Sequence, residues 1–168
     1  MANADKPRGF RPMNRWYVNS IASPQKIAAS QTLAEHDMVY LNTSGLVQIA
    51  LYTTGSLLGS MAQKVAAPAA STRVFVWDYP FQVFEAQCSG VASGRGLLNT
   101  TQTDPVDIEG ATGVMEINED ASTENLLWLI GVGEDPDSCE ESVLDGTDDN
   151  TTFLCKIALH NAHGNVTA

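Results

Sequence analysis

Residues 73–87, with the sequence RVFVWDYPFQVFEAQ, decide the fold, because two β-type runs meet there at a proline. Pro80 has no backbone N–H and cannot donate to the hydrogen-bond ladder of a central strand. We therefore predict one strand before Pro80 and one after it, joined by a bend or a hairpin. The segment also holds five of the chain's twelve aromatic residues, Phe75, Trp77, Tyr79, Phe81 and Phe84.

The aromatic residues of this segment have two possible roles. The run after Pro80 carries apolar groups on both faces of a strand, which favours packing in a core. We expect Trp77, Phe81 and Phe84 to be at least partly buried in the body or in a homo-oligomer contact. A stacking platform for sugars or bases is the alternative. Such a platform needs polar partners and, for nucleic acid, positive charge, so core packing explains the pattern better.

The rest of the chain repeats the same short-strand pattern. DMVYLNTSGLVQIAL places two β-rich runs around Asn42-Thr43-Ser44-Gly45, which predicts a hairpin. Further strands are predicted at DPVDI, GVMEI, NLLWLIGVG and TFLCKIAL. Many short strands separated by glycine- and aspartate-rich turns predict an all-β fold, with a compact β-barrel or β-sandwich body.

Charge divides the sequence into a basic arm and an acidic body. Five of the nine basic residues lie in residues 1–26 with a single acid, whereas residues 27–168 carry four bases and nineteen acids within a net charge of −11. We predict an extended N-terminal arm over residues 1–25 and a β-rich body over residues 26–168. Such an acidic body repels phosphate, which disfavours nucleic-acid binding. The arm is either a disordered tail or a segment that docks on a partner.

Other functional signals are weak. No window of 18 apolar residues could span a membrane, and the N-terminus lacks the apolar region of a secretion signal. Three cysteines, Cys88, Cys139 and Cys155, without a C-x-x-C pair indicate a reducing compartment and no disulfide framework.

Two clusters invite a metal-site interpretation. His160 and His163 could bind zinc with a cysteine, and DGTDDN within the acidic residues 134–149 could bind calcium. Neither has the ligand spacing of a dedicated site. We therefore predict no metal, no cofactor and no catalytic residues. The histidines are interpreted as solvated residues at the end of a strand, and the acidic segment as a solvated loop.

Four stretches, in this order, carry a resemblance to a known family: MANADKPRGFRPM, VWDYPFQVFEAQCSG, LLWLIGVGEDPDS and LCKIALHNAHGN. The sequence resembles the small capsid decoration, or cement, proteins of tailed bacteriophages. In that family a Gly-[FL]-Arg-Pro arm precedes a β-rich, β-tulip-like body. A D-x-P-x-Q-x-F-E-x-Q element lies in the middle of the chain, and the last strand ends near K-I-x-x-H. The matching structural positions are Asp78, Pro80, Gln82, Phe84, Glu85, Gln87, Lys156 and His160.

The resemblance implies a non-enzymatic virion protein on the outer surface of the expanded capsid, made in the host cytoplasm. Its partners would be the major capsid protein and further copies of itself, as a homotrimer at three-fold positions or, less favoured, a dimer. Neither a membrane nor nucleic acid would be a direct partner. We expect residues 1–20 to be mobile in an isolated protomer and to cross a neighbouring subunit in the assembly. The expected contacts of the arm are Arg8, Phe10, Arg11, Pro12, Arg15, Trp16 and Tyr17.

Two other classes of function remain open. The protein could be a different head or tail structural module of a phage, built on a similar β-rich body. It could also be an enzyme or a carbohydrate-binding β-sandwich that uses the aromatic residues of residues 73–87 as a sugar platform. Binding to bare expanded capsids, as opposed to free glycans, discriminates between these hypotheses.

Overall fold

A computed structural model describes residues 7–13, 21–51, 53–89, 105–118, 124–133, 151–161 and 164–165. Within these residues the regular structure is entirely β-strand, which confirms the all-β prediction. The strands are β1 (Arg11–Met13), β2 (Ser23–Lys26), β3 (Thr32–Leu33), β4 (Met38–Leu41), β5 (Val47–Ile49), β6 (Gly59–Met61), β7 (Val65–Ala66), β8 (Arg73–Trp77), β9 (Val83–Gln87), β10 (Asp107–Glu109), β11 (Glu116–Asn118), β12 (Leu127–Val132), β13 (Thr152–Ile157), β14 (Leu159–His160) and β15 (Gly164–Asn165).

One sheet has five strands in the order β2-β8-β6-β4-β5. Its β4–β5 hairpin is the one predicted around Asn42, whose side-chain oxygen accepts hydrogen bonds from the N–H groups of Ser44 and Leu46. Gly45 has φ +70°, a conformation that glycine adopts without strain. The sheet curls, so that its two edges meet at a single bridge between Ile27 and Val47. The inner face of this curl encloses the smaller of two hydrophobic clusters.

A second sheet has four strands in the order β1-β9-β13-β12. The β10–β11 hairpin is attached to it by two single bridges, Val106 to Leu127 and Cys88 to Ile117. Between the sheets lies the larger hydrophobic cluster, which includes Phe84. The described strands therefore form open, curled sheets in a sandwich-like body, and no closed barrel is present among them.

The segment around Pro80 connects these two sheets. β8 belongs to the five-stranded sheet and β9 to the four-stranded sheet, so the backbone bends from one to the other. The Gln82 N–H donates to the carbonyl of Tyr79 at 2.9 Å and closes a tight turn at this corner. Of the two predicted connections, the structure has the bend and not the hairpin.

The N-terminal segment is part of the folded body wherever it is described. β1 forms the edge of the four-stranded sheet, and β2 runs across the predicted boundary between arm and body as the edge of the other sheet. Residues 7–13 thus pack against their own protomer, which differs from the mobility expected for residues 1–20. The strand at Arg11–Met13 gave no sequence signal, because it depends on a partner strand more than seventy residues away.

Candidate functional site

The arm and β9 meet through a pair of opposite charges. In the register of β1 against β9, Arg11 lies opposite Glu85, and its Nη2 donates to Glu85 Oε2. The Glu85 side chain is 3% exposed and the Arg11 side chain 33%. A buried carboxylate is costly unless it is paired, so Arg11 compensates a charge that β9 places in the interior.

Phe10 is an anchor, but within its own protomer. Its ring is fully buried in the larger cluster, and its N–H donates to the carbonyl of His36 at 2.8 Å. Gly9 has φ +68°, and a Cβ there would lie 2.6 Å from the His36 oxygen, so only glycine fits this close approach. Phe10 is therefore enclosed by its own protomer, which differs from the contact with a neighbouring subunit expected for it. Arg15, Trp16 and Tyr17 lie outside the described residues.

Three of the family-like stretches converge on one sheet. Pro12 lies opposite Phe84 on one side of β9, and Lys156 lies opposite Val83 on the other. Gln82 is buried and its Nε2 donates to the carbonyl oxygens of Met13, at 3.1 Å, and Val83, at 2.7 Å. The buried Gln87 continues this row opposite Thr152 on β13. The arm, β9 and β13, which are far apart in sequence, therefore lie side by side in one sheet.

The corner itself is held by Asp78. Its Oδ2 accepts hydrogen bonds from Ser23 Oγ and from Gln25 Nε2, the latter at 2.7 Å, which ties the corner to β2. On the other side, His160 Nε2 lies 3.0 Å from the backbone oxygen of Asp78. His160 is buried, so its interpretation as a solvated residue is wrong. The imidazole instead packs the last strands against the corner.

The corner also exposes aromatic rings. Tyr79 is 46% and Phe81 52% exposed, and their rings meet edge to face with centroids 5.8 Å apart. Phe75, upstream on β8, is 42% exposed. Burial in the body is confirmed for Trp77 and Phe84, whereas Phe81 is exposed in the protomer and its burial in a homo-oligomer contact stays a prediction. The aromatic segment therefore has a buried part in the core and an exposed aromatic corner, Tyr79 and Phe81.

Two titratable groups stand where the arm enters the core. Burial raises the pKa of Asp37 above its ordinary 3.8, although its carboxylate accepts hydrogen bonds from the N–H groups of Gly113 and Ala34, both at 2.7 Å. Burial lowers the pKa of His36 below 6.5; the carboxylate of Glu35 opposes this shift and the charge of Arg11 adds to it. The Asp37 carboxylate thus holds the backbone of Ala34 and Gly113 in place where the arm enters the core.

The described residues offer no constellation for chemistry. Cys88 and Cys155 are buried and unpaired with each other, and burial raises the pKa of the Cys155 thiol far above its ordinary value. A thiol of this kind is not a nucleophile. Within the described ranges no group of three metal-ligating side chains comes together. Cys139, His163 and the acidic residues 134–149 lie outside those ranges.

A polar groove of about 580 Å³ opens beside the β4–β5 hairpin. Its lining carries no formal charge: Tyr40 donates its hydroxyl to Gln48 at 2.9 Å, and Asn161 bridges from the Leu41 N–H to Ser56. Sequence reasoning missed this groove, because Tyr40, Ser56 and Asn161 come from separate segments and none of them belongs to a local motif. An uncharged lining of amides, hydroxyls and one ring suits a neutral polar ligand.

Comparisons with protein families, curated proteins and solved structures found no match. Among the described residues, no helix has the length and apolar character needed to cross a membrane.

Proposed function

We propose that this protein is a non-enzymatic structural component of a phage virion. It binds the outer surface of the expanded capsid and bridges neighbouring major capsid protein subunits, as a homotrimer at three-fold positions. One observation carries the proposal: the family-like residues of the arm, of residues 78–87 and of the last long strand meet in a single sheet and corner. The three stretches that carry the resemblance therefore form one structural unit.

The exposed aromatic corner is the part of this unit that faces outward. Aromatic side chains tend to dominate the energy of protein interfaces, and Tyr79 and Phe81 stand on a turn fixed by Asp78. A rigid anchor loses little conformational freedom on binding. The net charge of −11 would keep a decorated particle soluble.

Co-sedimentation with expanded capsids tests the proposal. The capsids are assembled from the major capsid protein encoded in the same genome and lack any decoration protein. We expect the wild-type protein to saturate them, and Tyr79→Ala/Phe81→Ala to bind at least ~10-fold more weakly. Ile130→Ala, at an exposed apolar residue on β12, serves as the control. Absence of wild-type binding, or equal binding by the double variant, would refute the proposal.

The polar groove favours a second candidate, a carbohydrate-binding β-sandwich. Here the site would be the groove beside Tyr40 and Gln48 and not the aromatic corner. A glycan array distinguishes the two functions, since specific glycan binding lost in Tyr40→Ala, without capsid binding, would replace the first proposal with this one.

A further inference from the structure

The β2–β8 edge presents two like charges side by side. Lys26 lies directly opposite Arg73, and Pro24 lies directly opposite Phe75. Because cross-strand partners and residues two apart share a face, all four side chains point to the same side of the sheet. All four are exposed. The β2–β8 face is therefore a basic and apolar patch, and β2 has no further strand beside it in this sheet.

This arrangement is unfavourable for the isolated protomer. Like charges directly opposite each other in a sheet repel, and neither Lys26 nor Arg73 has an ionic partner in the part of the sequence that the structure describes. The protein has only nine basic residues against twenty acids, so most arrangements would give each base an acidic neighbour. A partner that supplies negative charge would remove the repulsion.

A matching acidic pair exists on another sheet of the same protomer. In the β10–β11 hairpin, Glu109 lies directly opposite Glu116, and both side chains are half-buried. Their neighbour Asn118 donates to Glu109 Oε2 at 3.0 Å and holds that carboxylate in place. The β10–β11 face thus repeats the geometry of the basic pair with the opposite sign.

We propose that the β2–β8 face of one copy docks on the β10–β11 face of a second copy. A two-fold contact centred on either face would bring like charges together, so the contact must join unlike faces. Repeated around a ring, this head-to-tail contact places the basic pair of every copy against the acidic pair of the next copy. Phe75 supplies the apolar centre of the contact and the charges set its register. The inference refines the homo-oligomer of the proposed function by naming its surfaces, and it does not depend on capsid binding.

Sedimentation equilibrium with charge-reversed variants tests the contact. We expect the wild type to associate, Lys26→Glu/Arg73→Glu and Glu109→Lys/Glu116→Lys each to associate at least ~10-fold more weakly, and the variant with all four changes to recover association. Raising the salt concentration should weaken association of the wild type, because partly exposed charges are screened.

Two controls separate this contact from general charge or folding effects. Lys156→Glu reverses a lysine on β13 of the other sheet and should associate like the wild type, whereas Lys26→Glu alone should not. Circular dichroism establishes that each variant is folded, and Phe75→Ser probes the same face without a change of charge. A monomeric wild type overturns the inference, as does unchanged association of the Lys26→Glu/Arg73→Glu variant or failure of the folded fourfold variant to recover. Lost self-association with intact capsid binding would leave the proposed function standing.

Discussion

β8 and β9 follow each other in sequence and have similar apolar content, yet they differ in what covers them. Along β8, exposed and buried residues alternate, with Val74 and Val76 inside and Phe75 outside. Along β9 every residue is buried, including Glu85. The difference does not come from position within a sheet, because β8 lies between β2 and β6 just as β9 lies between β1 and β13. It comes from the packing on the two faces: one face of β8 is open, whereas both faces of β9 are covered.

The comparison shows that a strand's own pattern does not determine its burial. β9 contains a carboxylate and an amide, which would suggest a solvated face. Residues of the arm supply the compensating groups. Arg11 pairs with Glu85, and the carbonyl of Met13 accepts a hydrogen bond from Gln82, the residue just before β9. Polar residues can therefore lie in an interior strand when a distant segment pairs with them.

The largest effect should come from Phe84, the buried aromatic residue of β9. Phe84→Ala removes a fully buried ring and should lower the free energy of unfolding by about 3–5 kcal/mol. Phe81→Ala, at the exposed corner, is the matched control and should change it by less than about 1 kcal/mol. Urea unfolding followed by fluorescence measures both. Similar losses in the two variants would mean that the corner is as much a part of the core as β9.

A smaller effect is expected where charge, and not volume, is lost from β9. Arg11→Ala removes this cation from the buried Glu85 carboxylate and should cost about 2 kcal/mol. Adding Glu85→Gln removes the buried charge and should return part of that loss. A double-mutant cycle by urea unfolding gives the coupling between the two side chains. Additive losses would show that Arg11 acts on stability through packing alone.

Asp37 sharpens the comparison, because it is a buried carboxylate held by N–H groups and not by a cation. Asp37→Asn keeps one acceptor oxygen for two donors and should cost about 1–2 kcal/mol. Since burial raises the folded pKa above 3.8, the stability linked to this group is complete below that pH and declines as the pH rises through the folded pKa. The difference between wild type and variant should therefore be larger in acid than at neutral pH. A difference that grows towards neutral pH would contradict the raised pKa.

The smallest effect is expected beside β8 and has the opposite sign. Ser60 lies opposite Trp77, and its hydroxyl is buried with no hydrogen-bond partner among the described residues. Ser60→Ala removes a polar group that lost its water on folding, so it should raise the free energy of unfolding by about 1 kcal/mol. Thermal and urea unfolding measure the change. A loss of stability would reveal a partner for the hydroxyl.

Local signals predicted much of the fold. The hairpin at Asn42–Gly45 was predictable, because its turn residues act on their own backbone and the flanking runs pair with each other. The division of residues 73–87 into two strands was also predictable, since Pro80 cannot donate to the ladder of a central strand. Burial of Trp77 and Phe84 followed from the apolar content of their strands.

Contacts between distant segments were not predictable. Phe10 was expected to be an exposed anchor, because nothing near it in sequence indicates the cluster that encloses it. His160 was expected to be solvated, because its contact with the backbone oxygen of Asp78 joins residues far apart in sequence. The β2–β8 face depends on a register that places Lys26 opposite Arg73, and no local pattern encodes that register. The exposed corner was not predictable either. Phe81 and Phe84 are the same residue type in the same segment, and only the packing of distant residues makes one exposed and the other buried.

The placement of β1 has a consequence for how the protein folds during synthesis. Arg11 pairs with Glu85, and Glu85 in turn lies opposite Leu154, so the four-stranded sheet needs segments from both ends of the described sequence. Contacts so distant form slowly, whereas the β4–β5 hairpin needs only its own neighbours. During synthesis, the Phe10 side chain therefore stays exposed until the last long strand has left the ribosome. We expect nascent chains that end before residue 150 to expose Phe10 to a chaperone or protease, and full-length chains to protect it. Protection of the shorter chains would show that β9 captures the N-terminus without β13.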